Sequence, residues 1–239
     1  MEEADMLKIF RRAKIDSTNE EAWRLLKAGV TPPFVVVAEE QEAGKGRFGR
    51  SWYSPKGGLW FSIATQTMRP SETISLAAAY AVIHTVKEIT DICARVRIPN
   101  DVVIERKKLA GILIERDENT VVAGIGLNLK VERFPSELKD TAISLHKVTS
   151  KPLNPHEFLK KISEKFLRCV ETGDFTVGMW LCCLGKKVEF WVGDTHLVGK
   201  FLGILENKKA VFDLDGKELE IPLAQINKFR KFEEGQKQG

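Results

Sequence analysis

The sequence predicts an α+β fold, in which helices flank a mixed, largely antiparallel sheet and a small C-terminal β-barrel follows. Three observations predict it. Helical segments alternate with short apolar strands up to about residue 178, and neighbouring strands are close enough in sequence to form a hairpin. Beyond residue 178 the pattern changes to short strands joined by turns. We therefore expect two domains, 1–178 and 179–239.

Capping residues and apolar periodicity predict three helices. The first begins after Ser17, which has capping-box spacing with Glu20, and Gly29 is suited to end it. An alanine- and leucine-rich segment supplies the second helix, and an Asn-Pro start supplies the third. The second helix runs from Ser71 or Thr73 to near Thr90. The third runs from Asn154-Pro155 to about Glu171, and Gly173 ends it.

Short apolar or alternating runs between turn residues predict the strands. In the larger domain they are Phe34–Ala38, Leu59–Thr65, Arg95–Ile98, Val102–Glu105, Leu109–Glu115 and Val121–Leu129. In the smaller domain they are Lys187–Val192, His196–Leu205, Ala210–Leu214 and Lys217–Ile221.

Composition excludes several classes of protein. The 239 residues are 43% hydrophobic and 29% charged, which excludes disordered, collagenous and coiled-coil chains. No apolar stretch approaches the ~20 residues of a membrane span, and the acidic first residues differ from a secretory signal. The net charge of +4 is compatible with anionic ligands but is weak support for nucleic-acid binding. We expect a cytoplasmic protein that binds no membrane.

The cysteines and histidines lack the spacing of a metal site. The four cysteines form no CxxC motif, and none has metal-ligand spacing with a histidine. The adjacent Cys182 and Cys183 lie in an apolar context, which predicts reduced and buried thiols. We expect no intrinsic metal, although a substrate can bring one.

A glycine-rich segment, GKGRFGRS at 44–51, nearly matches three phosphate-binding motifs. The Rossmann and Walker motifs both require a helix directly after the glycines, because its N-terminus holds the phosphate. Pro55, Gly57 and Gly58 block such a helix. The protein-kinase motif is excluded as well, because the chain contains neither HRD nor DFG.

The chemistry of this segment still favours a phosphate ligand. Lys45, Arg47, Arg50 and Lys56 lie in a run without acidic residues, and glycines expose backbone N–H groups. Trp52 can stack on a planar group. The segment is therefore typical of a mobile cationic flap for a nucleotide. A solvated basic loop and an RNA-binding loop are the alternatives.

Two further clusters carry polar residues at strand ends. Asn100 and Asp101 follow a strand in a tight turn, and Lys108 precedes a strand in which Gly111 permits close approach of a ligand. Asn128 ends GIGLN and offers a donor and an acceptor suited to a base edge. The alternatives are a turn with surface lysines and a packed central strand with a satisfied asparagine.

Taken in order, these clusters resemble the biotin protein ligases. The matching residues are Asp16-Ser17-Thr18-Asn19, Gln41, GKGRFGRSW at 44–52, RIPND at 97–101, KKLAGIL at 107–113 and GIGLN at 124–128. The resemblance covers about residues 15–130. It implies a biotin/lipoate ligase-like catalytic domain over 1–178 and an SH3-like barrel over 179–239.

The resemblance also implies the reaction of an ATP-dependent biotin–[biotin carboxyl carrier protein] ligase. The carboxylate of biotin attacks the α-phosphate of ATP and gives biotinyl-5′-AMP and pyrophosphate. A lysine of a biotin carboxyl carrier protein domain then takes the biotinyl group. The implied small molecules are biotin, ATP and Mg²⁺ carried in with ATP. Because family members often dimerise, a homodimer is also an option.

Residue roles follow from the same resemblance. The implied catalytic residues are Arg47 and Lys108, which face the α-phosphate and the biotin carboxylate. The implied biotin-binding residues are Ser17, Thr18, Asn19, Gln41, Gly44, Lys45, Gly46, Arg47, Lys108 and Gly111. The implied ATP-binding residues are Arg47, Arg50, Trp52, Asn100, Asp101, Lys108 and Asn128, with Trp52 covering the adenine and Asn128 reading it.

The chain departs from the family pattern at two positions. Lys45 and Ile98 stand where the family usually has arginine and tryptophan. About 15 residues precede Asp16, too few for a winged helix, so we expect no DNA binding. Two other functions remain open. A lipoate-type protein ligase would not need the Ser-Thr-Asn cluster, and a non-enzymatic nucleotide- or RNA-binding module would release no pyrophosphate.

Overall fold

The structure is a computed structural model that describes residues 7–206 and 208–232. Within these residues it contains three α-helices, a seven-stranded sheet and a five-stranded sheet. The elements up to the third helix are β1 Lys8–Ile15, α1 Thr18–Lys27, β2 Phe34–Gln41, β3 Leu59–Gln66, α2 Ser71–Thr90, β4 Arg95–Arg97, β5 Asp101–Ile104, β6 Lys107–Asp117, β7 Thr120–Leu127 and α3 Pro155–Thr172. The later strands are β8 Lys187–Val192, β9 Thr195–Ile204, β10 Lys209–Leu214, β11 Lys217–Pro222 and β12 Ile226–Lys231.

The larger sheet has the strand order β1-β2-β3-β7-β6-β5-β4. Its strands pair in antiparallel fashion except for β1 and β2, which are parallel. The sequence did not predict β1, because KIFRRAKI has charged residues on both faces and lies mostly exposed at the sheet edge. It also did not predict β12, INKFRK, in which basic residues mask the alternation.

Alternation along the central strands sorts side chains between the two faces of this sheet. Val35 and Val37 of β2 join the main core under α2 and α3, whereas Phe34 and Val36 face α1. The main core continues across β3, β6 and β7. Helix α1 packs on β2, β3 and β7, so the part of the same face over β6 and β5 stays open.

The N-terminal caps that the sequence predicted for α1 and α3 have different outcomes in the structure. Ser17 is the N-cap residue of α1, but its side chain makes no capping hydrogen bond to any described residue, so the capping-box prediction was wrong. Its side chain instead lines a groove described below. In α3 the prediction is confirmed, because Asn154 Oδ1 accepts a hydrogen bond from the His156 N–H at 3.0 Å. Gly173 ends that helix in the left-handed conformation.

The smaller sheet has the order β11-β10-β9-β8-β12 and is antiparallel throughout its described strands. Four phenylalanines form its interior, where Phe190 stacks on Phe212 at 3.8 Å between ring centroids and Phe201 and Phe229 pack beside them. None of the described helices has the length and hydropathy that a bilayer crossing needs.

The two sheets meet between β4 and the segment before β8. Leu181 forms a parallel bridge with Val96 of β4, and the Cys182 N–H donates to the Val96 carbonyl at 2.7 Å. Buried residues on both sides, including Val96 and Phe190, belong to one continuous hydrophobic core. The smaller sheet is therefore packed against the larger one, and a groove of 1140 Å³ lies between them.

Candidate active site

Three glycines form the floor of this groove. Gly111 of β6 and Gly124 and Gly126 of β7 lie on the sheet face that carries α1, with Gly124 beneath Asn19 of that helix and the other two beneath Trp52. A Cβ atom at Gly124 would lie 2.3 Å from Asn19 Oδ1, and one at Gly126 would lie 2.3 Å from Trp52 Nε1. The glycines are therefore required for the side chains of neighbouring elements to lie flat on the sheet.

A buried polar cluster closes one end of the groove. Gln41 Oε1 accepts hydrogen bonds from the Thr18 N–H at 2.8 Å and from Thr18 Oγ1 at 3.1 Å. Ser62 of β3 lies beneath, with its Oγ 2.7 Å from Thr18 Oγ1 and 2.6 Å from Asn19 Oδ1. These bonds leave the Thr18 and Asn19 side chains little freedom to rotate.

Asn19 keeps one donor available in this cluster. Its Nδ2 atom is buried and has no hydrogen-bond partner among the described residues. A buried N–H without a partner costs about 1–3 kcal/mol, and a ligand acceptor placed at this atom would offset that cost. The segment before it is fixed by Arg24, whose hydrogen bonds to Asp16 lower the pKa of that carboxyl to about 2.

The 44–51 loop is a short hairpin at the mouth of the groove. Gln41 bridges Ser54 and Lys45 bridges Ser51 in antiparallel fashion, and the Gly46 N–H donates to the Arg50 carbonyl at 2.7 Å. Gly44 is buried against Ser54, where a Cβ would lie 2.6 Å from its Oγ. A three-residue 3₁₀ turn occupies 47–49, and the next regular element is strand β3, so no α-helix follows the glycines directly, as the sequence predicted.

The loop cations contact the smaller sheet. Arg47 Nη2 donates to the Ala224 carbonyl at 2.9 Å and its Nη1 to the Ile226 carbonyl at 3.3 Å. Arg50 Nη2 donates to the Asn227 carbonyl at 3.1 Å. Burial and the nearby charge of Arg50 lower the pKa of the Arg47 guanidinium. Both arginines are thus held by neutral oxygens beside the groove.

Trp52 lies across the glycine floor. Its Nε1 atom is buried and meets no acceptor within the part of the chain that the structure describes. The ring packs edge-on against Trp60, with 6.4 Å between centroids. The Lys108 ammonium lies 4.8 Å from the Trp52 ring centroid, which is within the range of a cation–π interaction.

An ion network surrounds Lys108. Lys108 Nζ lies 2.5 Å from Asp101 Oδ1, and Arg97 Nη2 lies 2.9 Å from Asp101 Oδ2. Burial alone would raise the pKa of Asp101, but the charges of Lys108 and Arg97 outweigh burial and lower it. Asp101 is therefore ionised at neutral pH and fixes the position of the Lys108 ammonium.

The two asparagines near this network bind backbone groups. Asn100 Nδ2 donates to the Ile112 carbonyl at 2.7 Å, which holds the turn before β5 against β6. Asn128 is buried, and its Nδ2 donates to the Lys108 carbonyl at 3.2 Å. Both side chains also line the groove.

The structure brings nearly all the sequence-predicted site residues into one groove. Its lining includes Ser17, Thr18, Asn19, Gln41, Lys45, Gly46, Arg47, Arg50, Trp52, Asn100, Asp101, Lys108, Gly111 and Asn128. Gly44 lies behind the lining. Lys45 is exposed and pairs with Glu20. No group of three or more His, Cys, Asp or Glu side chains in the described residues is placed to hold a metal ion.

Sequence reasoning missed three groups of residues at the groove. Ser62 supports the polar cluster, and it could have been found as the single serine inside the apolar run LWFSIA. Arg97 was quoted within a motif but was given no role. The residues of the smaller sheet, such as Glu189 and Lys228, had no sequence signal, because only packing of the two sheets brings them to the groove.

Comparison with known proteins assigns the fold and the family. A model of the Biotin/lipoate A/B protein ligase family matches residues 12–132. The chain belongs to this family. It is 30% identical over 238 residues to the biotin--[acetyl-CoA-carboxylase] ligase of Paracoccus denitrificans, covering 90% of this chain and 98% of that protein. The matched segment contains the polar cluster, the 44–51 loop and the glycine floor.

A structural relative and a longer sequence relative complete the comparison. The biotin protein ligase of Aquifex aeolicus in complex with biotin and ATP has a TM-score of 0.83 and 29% identity, covering 94% of this chain and 99% of that one. The bifunctional ligase/repressor BirA of Bacillus subtilis is 32% identical over 176 residues, which are 68% of this chain. The match spans 54% of that relative's length. The predicted fold class, a biotin/lipoate ligase-like domain with a small C-terminal β-domain, is confirmed.

Proposed function

We propose that this chain is an ATP-dependent biotin protein ligase. It activates the carboxylate of biotin with ATP to form biotinyl-5′-AMP and pyrophosphate. It then transfers the biotinyl group to a lysine of a biotin carboxyl carrier protein domain. Membership of the family and the likeness to a ligase in complex with biotin and ATP support the proposal.

The observation that carries the proposal is the unpartnered Asn19 amide in a fixed polar cluster. Biotin's ureido group has a carbonyl oxygen that accepts hydrogen bonds, and Asn19 Nδ2 is a buried donor without a partner among the described side chains and backbone. Thr18 and Ser17 lie beside it, and Gln41 holds Thr18 in place. A site built to donate hydrogen bonds rejects ligands that lack the acceptor by large factors.

The first step requires positive charge more than covalent chemistry. A carboxylate and a triphosphate repel each other, so the site must neutralise charge as the oxygen approaches phosphorus. Lys108 is our candidate for this role, because Asp101 fixes its ammonium over the glycine floor. Arg47 and Arg50 are our candidates for binding the phosphates. On binding, they release the backbone carbonyls that now accept their hydrogen bonds.

The remaining site residues complete the proposed ligand contacts. Lys45, Gly46 and Gly111 are assigned to the biotin position, and Gly44, which lies behind the groove lining, supports it by packing against Ser54. The absence of a side chain at Gly111 leaves room for Trp52 and Lys108. Trp52 covers the adenine side, and Asn100, Asp101 and Asn128 contribute to the nucleotide position. Mg²⁺ enters bound to the triphosphate oxygens, where a cation neutralises developing charge. Omitting Mg²⁺ in the presence of EDTA is expected to stop pyrophosphate release.

One assay tests the activity. Pyrophosphate release is measured with ATP and biotin, with ATP and lipoate, and with ATP alone. We expect release with biotin only, and the later addition of a purified carrier domain to give biotin attached to that domain. Release with lipoate alone would favour the lipoate-type ligase. No release with either acid would favour a nucleotide- or RNA-binding module.

Organisation and partners are part of the same proposal. We propose a catalytic domain over 1–178 and an SH3-like domain over 179–239, action in the cytoplasm, and a homodimer as an option. Free thiols at Cys93, Cys169, Cys182 and Cys183 agree with a reducing compartment. No site-specific DNA binding is expected. A gel shift with tight, site-selective binding at physiological salt would contradict this expectation.

A further inference from the structure

Two adjacent cysteines lie where the two sheets join, and the proposed reaction uses neither. Cys182 Sγ and Cys183 Sγ are 3.2 Å apart, and both side chains are half-buried and line the groove. The sequence predicted reduced and buried thiols; the thiols are free, but the burial is only partial. Burial is partial because the pair lies in the turn that precedes β8 and packs beside β4, not within a packed layer.

The chemistry of the pair is suited to thiol–disulfide exchange. A hydrogen bond from Cys183 lowers the pKa of the Cys182 thiol to about 7 against the effect of burial, with help from Arg97 and Arg95. The same contact raises the pKa of Cys183. One sulfur is therefore a thiolate near neutral pH while its neighbour keeps its proton. This pairing of an attacking and a resolving thiol is the arrangement that exchange requires.

Backbone hydrogen bonds connect the turn that contains the two cysteines to both sheets. The Cys182 N–H donates to the Val96 carbonyl of β4 at 2.7 Å. The Lys186 N–H donates to the Cys183 carbonyl at 3.0 Å, and the Gly185 N–H to the Phe201 carbonyl of β9 at 2.8 Å. Cys183 itself has φ +65°, which residues with a Cβ rarely adopt. A change at the pair therefore acts on both sheets.

We propose that Cys182 and Cys183 are a site of reversible oxidation by small disulfides, which joins them in a vicinal disulfide. The Cys182 thiolate attacks one sulfur of the disulfide, whose S–S bond breaks, and the first thiolate leaves. Cys183 then loses its proton to solvent, and its sulfur attacks Cys182 Sγ and displaces the second thiolate. Two protein thiols are oxidised, and one disulfide is reduced to two thiols that take up the two protons.

Because the two Sγ atoms are already 3.2 Å apart, forming the disulfide requires only a short movement of the sulfurs. A disulfide bond is about 2.05 Å long, so the two sulfurs must approach by about 1.1 Å. The Cα atoms of adjacent residues are about 3.8 Å apart, closer than in most disulfides, so closure also changes the backbone torsions of the turn. Strained disulfides are the easily reduced ones, which makes the oxidation reversible.

The change reaches the groove through three consecutive contacts. Cys182 binds the carbonyl of Val96, and the next residue, Arg97, pairs with Asp101. Asp101 in turn fixes Lys108. Oxidation of the pair is therefore expected to displace the ammonium that we assign to the first chemical step. This second part of the inference rests on the proposed function, whereas the oxidation itself does not.

Mass spectrometry after treatment with oxidised glutathione tests the oxidation. The background protein carries Cys93→Ser, because Cys93 is exposed and would add its own adduct. We expect it to lose two hydrogen atoms, with peptide mapping placing the bond at Cys182–Cys183, and dithiothreitol to restore the original mass. Addition of Cys183→Ser is expected to leave one glutathione on Cys182, because the resolving sulfur is gone.

Three results would overturn the proposal. These are stable glutathione on Cys182 of the background protein, free thiols at an oxidant concentration that modifies the Cys183→Ser variant, and a disulfide between two molecules on a non-reducing gel. For the coupling, pyrophosphate release by the oxidised background protein is expected to slow and to recover with dithiothreitol. A variant with Cys182→Ser and Cys183→Ser together should be insensitive to oxidant. Equal rates before and after oxidation would overturn the coupling, while peptide mapping still decides the chemistry.

Discussion

The two ends of the groove prepare for a ligand in opposite ways. At the polar end, Thr18 and Asn19 are fixed by Gln41 and Ser62, and a donor is left without a partner in the described structure. At the loop end, the arginines already hold partners, because backbone carbonyls of 224–227 accept their hydrogen bonds.

Because of this difference, the two ends of the groove contribute differently to ligand binding. A fixed donor binds without reorganisation, so the polar end contributes mainly to affinity and selectivity. An arginine at the loop end must first release its backbone carbonyls. Its net gain in free energy is therefore the difference between a hydrogen bond to phosphate and one to a carbonyl. That difference is favourable, because a phosphate oxygen carries negative charge and attracts the guanidinium more strongly than a neutral carbonyl oxygen does. The loop end therefore responds to charge, and its arginines are expected to engage when an anionic nucleotide arrives.

The largest expected effect comes from Lys108, which lies between the two ends. Lys108→Ala should slow pyrophosphate release about ten- to hundredfold, because a charge-assisted contact is worth about 1.5–3 kcal/mol. The measurement is single-turnover adenylate formation, with ATP affinity determined separately. Lys107→Ala is the matched control, since its ammonium binds the Lys139 carbonyl at 3.3 Å outside the ion network. A rate for Lys108→Ala equal to that of the parent would show that the role is misassigned.

Asn19 tests the polar end alone. Asn19→Ala should raise the KM for biotin about tenfold and change kcat little, because one buried hydrogen bond contributes about 1–1.5 kcal/mol to ground-state binding. Steady-state kinetics with biotin as the variable substrate measure this. Asn119→Ala, in the turn between β6 and β7, is the control. An unchanged KM together with an unchanged thermal midpoint would remove Asn19 from the biotin site.

Arg47 tests the loop end alone. Arg47→Gly should still form biotinyl-5′-AMP slowly but release it, because a cation that holds its phosphate is missing. Released adenylate acylates exposed lysines, so biotin should appear on unrelated bystander proteins in a blot. Lys56→Gly is the control, because Lys56 lies near the loop but pairs with Glu40 at 3.7 Å. If the Arg47 variant labels only the carrier domain, retention does not depend on this residue.

The smallest expected effect comes from Asp101, whose carboxylate pairs with both Arg97 and Lys108. The pKa of Asp101 is lowered in the folded state, so its contribution to stability is present above its unfolded pKa of about 3.9 and is lost as the pH falls through the folded value. The difference in unfolding free energy between the parent and Asp101→Asn should be constant near neutral pH and shrink below about pH 4. Urea unfolding at several pH values measures it. A difference that does not depend on pH would contradict the ion network.

Local sequence signals predicted the elements and the site residues that lie in motifs. Asn154 and Gly173 mark the ends of α3, and Pro55 with the glycines after it excludes a helix behind the loop. The segments that were missed are β1 and β12, whose charged residues hide the alternation at sheet edges. The capping box is absent: Ser17 lines the groove without a capping hydrogen bond, and Glu20 pairs with Lys45 instead. The contacts of Arg47 and Arg50 with 224–227 join segments about 180 residues apart, which no local pattern encodes.

The indole of Trp52 gives the groove an optical reporter. Its emission depends on the polarity around the ring, and the ring lies between a glycine floor, the edge of Trp60 and the Lys108 ammonium. A ligand that enters the groove displaces water or charge next to this ring, so occupancy changes the fluorescence without any attached dye. Four other tryptophans, Trp23, Trp60, Trp180 and Trp191, emit in the same range, so the change is assigned to Trp52 by its loss in Trp52→Phe. The protein thus carries its own means of following binding in real time.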